Sequence, residues 1–121
     1  MRESVAMTIE RIEAGPIMSM AVVHGDTVYL SGLVGNDLDA DVAGQTSQIL
    51  ARIDELLAQA GSDKSKLLKA NIWLTDIGTW SQMNEVWSAW VVEGSTPARA
   101  TVEANLAHPK VKVEIMVEAA R

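Results

Sequence analysis

The 121-residue sequence contains no cysteine, which removes disulfides, thiolate catalysis and cysteine metal sites, and agrees with a reducing compartment. It has no basic run either: ten lysines and arginines are dispersed among sixteen acidic residues, for a formal net charge of −6. Counterion-release binding to nucleic acid therefore has no electrostatic footprint, and anionic membranes are disfavoured for the same reason. Nowhere do about 18 apolar residues run together, and the opening MRESVAMTIERIEAG scatters charges where a signal peptide needs an apolar stretch. A soluble cytoplasmic protein is expected. His24 and His108 lack metal-ligand spacing, and the glycines of SGLVGND lack phosphate-binding spacing, so Gly32 reads as a bulge or a close-packing position. No linker, internal repeat or low-complexity segment divides the chain, and with 48% hydrophobic residues residues 1–121 form one domain with a sizeable core.

What is present is periodicity. The stretches VAMTIERI at 5–12 and MSMAVVHGDTVYLSGLV at 18–34 carry β-branched residues, with Gly25-Asp26 as a tight turn inside the second, so three early strands are predicted. The period then changes. Ile49, Leu50, Ile53, Leu56, Leu57 and Ala60 recur at helical spacing, with Asp41 as N-cap and Gly61 as stop. LLKANIWLTD reads as an inner strand. A second helix over 79–91 presents Trp80, Met83, Trp87, Trp90 and Val91 as one stripe, closed by Gly94. The last quarter alternates as strands over 98–106 and 111–119 about a turn holding His108 and Pro109. The order βββ-α-β-α-ββ predicts an α+β fold with a mixed six-stranded sheet and two helices on one face. The other face must then be polar or meet another subunit.

Within the terminal strands, Ala98, Ala100, Val102, Ala104 and Leu106 alternate with Arg99, Thr101, Glu103 and Asn105, while Val111, Val113, Ile115 and Val117 alternate with Lys112 and Glu114. Apolar residues facing the helices would leave the charged set on the free face. There a 98–106/111–119 hairpin would bring Arg99 and Glu114 within reach of each other or of a common ligand. The alternative is a solvated strand face with ion pairs worth under about 1 kcal/mol each. Asn84 falls inside the second helix's apolar stripe, where an unpartnered amide costs roughly 1–3 kcal/mol. It needs a hydrogen-bond partner, either nearby backbone or a ligand. The tryptophans, three of them at helical spacing, read as core rather than as a stacking platform.

The run STPARATVEANLAHPKVKVEI is similar to the C-terminal signature of the reactive intermediate deaminase (Rid, YjgF-like) family, where Pro-Ala-Arg opens a strand and Val-Glu-Ile follows about fifteen residues later. AGP at 14–16, YLSGLV at 29–34, DVAGQTSQILARIDELLAQAG at 41–61 and IWLTDIGTWSQMNEVW at 72–87 resemble the family in the same order and approximate spacing.

The resemblance implies a chorismate-mutase-like fold and a homotrimer with a small-molecule site at each subunit interface. It implies hydrolytic deamination of small 2-imino or enamine carboxylates to 2-oxo acids and ammonia, without metal or organic cofactor. Carried over position by position, Arg99 grips the substrate carboxylate, Glu114 positions water, and Ser31, Asn84 and Thr101 contact substrate. The sequence departs from the family where Gly15-Pro16 is followed by Ile17, Met18 and Ser19 instead of a tyrosine, where Thr101 replaces a frequent cysteine, and at Asn105. A non-catalytic homotrimer that binds a carboxylate metabolite is the alternative function. A ribonuclease role ranks last, because no basic, aromatic-studded path for RNA is present.

Overall fold

The computed structural model describes residues 8–121. Residues 5–7, at the head of the first expected strand, lie outside the described residues. The elements run β1 (Ile9–Ala14), β2 (Ser19–His24), β3 (Thr27–Leu30), α1 (Val42–Gln59), β4 (Leu67–Leu74), α2 (Trp80–Trp90), β5 (Ala98–Glu103) and β6 (Val113–Ala120). Single 3₁₀ turns at Lys64–Lys66 and Ile77–Thr79 lead into β4 and α2. The expected element order is borne out, with the terminal strands shorter than expected.

Local chemistry accounts for the element ends. Gly25 takes φ +62° between the paired residues His24 and Thr27, the left-handed backbone that a two-residue hairpin turn requires. Asp41 caps α1, its carboxylate accepting from the Gly44 N–H at 2.8 Å, and Gly61 at φ +78° follows the helix. The apolar stripe of α1 is buried throughout: Ile49, Leu50, Ile53, Leu56 and Leu57 are no more than 2% exposed.

The strands form one sheet in the order β1-β2-β3-β6-β4-β5, antiparallel throughout except for the parallel pair β4–β5. The expected β5–β6 hairpin does not form. The crossover through α2 lays β5 against one edge of β4, and β6 returns along the other edge to join β4 to β3. One face of the sheet meets α1 and α2 through Ala21, Val23, Val28, Leu30, Ile72, Leu74, Val113, Ile115 and Val117, all buried. The opposite face is free of helices and mixed in character: Tyr29, Val102 and Met116 are at least 40% exposed, beside Lys69, Glu114 and Glu118.

Gln45 lies on the buried side of α1 although it is polar, and it is completely buried. Its amide donates to the carbonyls of Leu38, Ala40 and Lys110 at 3.0–3.3 Å, and its oxygen accepts from the Lys112 N–H at 2.9 Å. The side chain thus ties the loop before α1 to the start of β6, the strand that carries Glu114. Gln45→Leu strands these backbone groups away from water. The expected loss is about 3 kcal/mol of unfolding free energy in denaturant titration, against less than about 0.5 kcal/mol for an exposed control such as Gln82→Leu.

Candidate functional site

Arg99 is placed by the register of β5, where Ala70 pairs with Arg99 and Ile72 with Thr101. Ala70 and Ile72 lie beneath the helices, so Arg99 and Thr101 face α2, while Ala98, Ala100 and Val102 face the open side. The alternation in this strand is as expected but its polarity is reversed. The reason is topological: β5 is an edge strand next to α2, and the side chains below that helix end need not be apolar.

Over Arg99 the helix presents Trp80, Asn84 and Trp87, spaced so that all three fall on one side of α2. The guanidinium carbon lies 5.6 Å from the ring centre of Trp80 and 5.5 Å from that of Trp87. Nη1 donates to Asn84 Oδ1 at 2.7 Å. The buried amide at Asn84 thereby has its partner. Trp80, expected in the core, is instead 40% exposed and covers the guanidinium. The turn before α2 is anchored to the same strand, because the Ile77 N–H donates to Glu103 Oε1 at 2.9 Å.

Burial pulls the Arg99 guanidinium below the ordinary arginine range, yet an arginine keeps its charge. Among the described residues no carboxylate lies within 4.0 Å of it. The remaining N–H donors border a cleft of about 480 Å³ between Asn84, Trp87, Ser88, Val91, Glu93 and Thr96. A half-buried cation held by two aromatic faces and an amide, with spare donors at a cleft, is suited to a carboxylate. Beside it the Thr101 hydroxyl is buried without a hydrogen-bond partner.

A second group of expected residues collects on the opposite face. Ser31 follows β3, its N–H donating to the Met20 carbonyl at 2.9 Å and its hydroxyl to Met20 Sδ at 3.9 Å. Leu33 pairs with Ile115 through two backbone bonds, 2.8 and 3.1 Å, which lays Gly32 against Glu114. A Cβ at Gly32 would overlap the Glu114 carboxylate, so a larger residue here would push that side chain aside. Glu114 is half-buried, and burial raises its carboxyl above the usual 4.5. Among the described residues no cation sits within 4.0 Å of it. A separate cleft of about 530 Å³, lined by α1 and not by Glu114, opens beside Met20 and Gly32, between the loop through Val34 and Asn36 and Gln48 and Arg52.

Arg99 and Glu114 are therefore not brought together within one chain. Trp73 pairs with both Val102 and Glu114, on the open face, whereas Arg99 lies under α2, with β4 between β5 and β6. Each face carries half of the expected set: Arg99, Asn84 and Thr101 on one, Ser31 and Glu114 on the other. The packing of Arg99 between Trp80 and Trp87 escaped the sequence reading. The signal available was the amide at position 84 within the tryptophan stripe.

Two consequences can be measured. Thr101→Val keeps the branched shape, removes the unpartnered hydroxyl, and should raise unfolding free energy by about 1 kcal/mol in denaturant titration. Because folding raises the Glu114 pKa, the native state binds the extra proton, so this group's contribution falls as pH climbs through the window above 4.5. Glu114→Gln should accordingly gain thermal stability relative to the wild type as pH goes from 4 to about 7, as followed by calorimetry. A constant difference would show that burial does not disfavour the ionised carboxylate.

Comparison with known proteins agrees with this architecture. The Endoribonuclease L-PSP family profile matches residues 8–121. The chain is 48% identical over 114 residues to the RutC family protein YoaB of Escherichia coli K12, covering 94% of this chain and 99% of that one. It is 42% identical over 112 residues to a RutC family protein of Haemophilus influenzae, covering 92% and 97%. Among solved structures it superposes with a TM-score of 0.93 on NMB1025 of Neisseria meningitidis, a YjgF family member 45% identical, covering 95% of this chain and 96% of that one. With its sequence matched almost from end to end and its backbone superposing closely on a family member, the chain belongs to the Endoribonuclease L-PSP family, also called the YjgF or Rid family.

Proposed function

We propose that the protein hydrolyses small 2-imino or enamine carboxylates to 2-oxo acids and ammonia, at sites formed between copies in a homotrimer. The observation that carries this reading is the pair of uncompensated half-sites: a guanidinium at a cleft on one face, and a carboxylate raised by burial on the other. A chain with complementary halves on different faces completes a site when Arg99 of one copy meets Glu114 of the next. Such a head-to-tail contact makes a ring where its rotation closes. Family resemblance supports three copies.

In the assembled site the Arg99 fork binds the substrate carboxylate and fixes the planar imine carbon. Glu114 accepts a proton from water as the water oxygen bonds to that carbon. That proton passes to the imine nitrogen to give a tetrahedral amino alcohol. The new hydroxyl then gives up its own proton, relayed through Glu114 to the nitrogen, and as the C=O bond forms the C–N bond breaks and ammonia leaves with the 2-oxo acid as co-product. Ser31, Asn84 and Thr101 complete the contacts. Because burial raises Glu114, the rate should rise with pH through a limb above the ordinary glutamate value.

The test couples an amino acid oxidase to the protein and follows imine decay. Arg99→Ala should lower kcat/KM by at least about 100-fold and Arg99→Lys should restore little of it, because an ammonium cannot form the bidentate fork. Glu114→Gln should lower kcat by about 10²–10⁴-fold. Co-assembly of the two inactive variants should regain part of the activity, since some interfaces then combine intact halves. Saturable binding of a 2-oxo acid without turnover would instead establish a carboxylate-binding protein.

A further inference from the structure

The two rings beside Arg99 are held in place by different means. Met83 is fully buried and Trp87 is 5% exposed, so the core fixes the middle of α2 and with it one of the rings. Trp80, the other ring, is 40% exposed, and Ile77 in the turn before it is 44% exposed. Burial therefore does little to place the start of the helix. Capping does not place it either: Thr79 makes no side-chain cap bond, and the first turn of α2 contains no acidic residue.

Hydrogen bonds of the turn take over that role. Asp76 serves its own turn, its carboxylate accepting from the Gly78 N–H at 2.8 Å and its carbonyl from the Thr79 hydroxyl at 2.7 Å. Those bonds close the turn without fixing where it sits on the sheet. The Ile77 peptide supplies that link: its carbonyl accepts from the Trp80 N–H, and its N–H donates to Glu103 Oε1 at 2.9 Å. Glu103 ends β5 and shares a side of that strand with Arg99 by the period of two. One strand thus carries the guanidinium and, through a single peptide unit, the backbone of a ring that covers it. Among the described residues Glu103 forms no ion pair with Arg99.

We propose, resting on the reading that Arg99 binds the substrate carboxylate, that Glu103 is a positioning residue. Through Ile77 it holds Trp80 over the guanidinium and keeps the Arg99 fork aimed at its ligand. Without that bond α2 stays docked through Met83 and Trp87, while its first turn and Trp80 move off. Arg99 must then be ordered at the moment the ligand binds, which weakens binding. Ile77 requires only an acceptor at position 103, and an amide oxygen supplies one as a carboxylate does.

The first measurement needs no ligand. The guanidinium lies beside two indole rings, whose ring currents displace its Nε–H resonance in the NMR spectrum. Assigned by its absence in Arg99→Lys, that signal should move in Glu103→Ala toward its position in Trp80→Ala, and stay in place in Glu103→Gln. The second measurement follows imine decay. Glu103→Ala should raise KM about 5-fold with kcat within about twofold of wild type, and Glu103→Gln should restore the wild-type KM. Glu103→Ala combined with Trp80→Ala should be no worse than Trp80→Ala alone, because both act through one contact. An unmoved Arg99 signal in Glu103→Ala, additive losses in the double variant, or a Glu103→Gln variant as impaired as Glu103→Ala overturns the inference while leaving deamination intact. If no imine is turned over, the deaminase reading fails, and the Arg99 signal alone decides the positioning role.

Discussion

A half-buried guanidinium with no carboxylate beside it among the described residues is the constraint from which the rest of the candidate site follows. Desolvating Arg99 is unfavourable, and the structure offsets the cost with two tryptophan faces and one amide oxygen. None of these neutralises the charge. An ion pair in the same place would also have stabilised the fold, but it would have consumed the donors that border the cleft. Charge held in place and left unmatched is what a site needs if an incoming anion is to be bound without reorganising the protein.

Glu114 follows the same logic with the opposite sign. It is half-buried, packed against the Gly32 backbone where a larger residue would displace its carboxylate, and unpaired among the described residues. Its strand begins at the Gln45 clamp, where one buried amide joins two loops and the first residues before β6. Such a network is stabilising only while every member is satisfied. Thr101 is the exception nearby, a buried hydroxyl with no partner next to Arg99. Departures from full satisfaction tend to collect at functional positions.

Membership of the family accounts for the architecture, and the chemistry depends on individual side chains. The segment after Gly15-Pro16 places Ile17 90% exposed, where the family resemblance leads one to expect a tyrosine. The Trp80 and Trp87 rings hold the guanidinium beside a cleft that Glu93 also lines. The two groups, Arg99 and Glu114, face different sides of the sheet, so the proposed chemistry requires a second copy to bring them together.

Much of this was legible in the residues alone. Element order, the caps of α1, the Gly25 turn, the close packing at Gly32 and the need of Asn84 for a partner all depend on a few neighbouring residues, and short-range sterics and hydrogen bonding specify them. The pairing of strands and the face that each side of β5 presents were decided only by the tertiary structure. A period of two states which side chains share a face and says nothing of what covers that face, so Arg99 was expected opposite the helices and lies beneath one. The insertion of β4 between β5 and β6 is likewise a long-range choice: the α2 crossover sets β5 parallel beside β4, and β6 pairs with both β4 and β3.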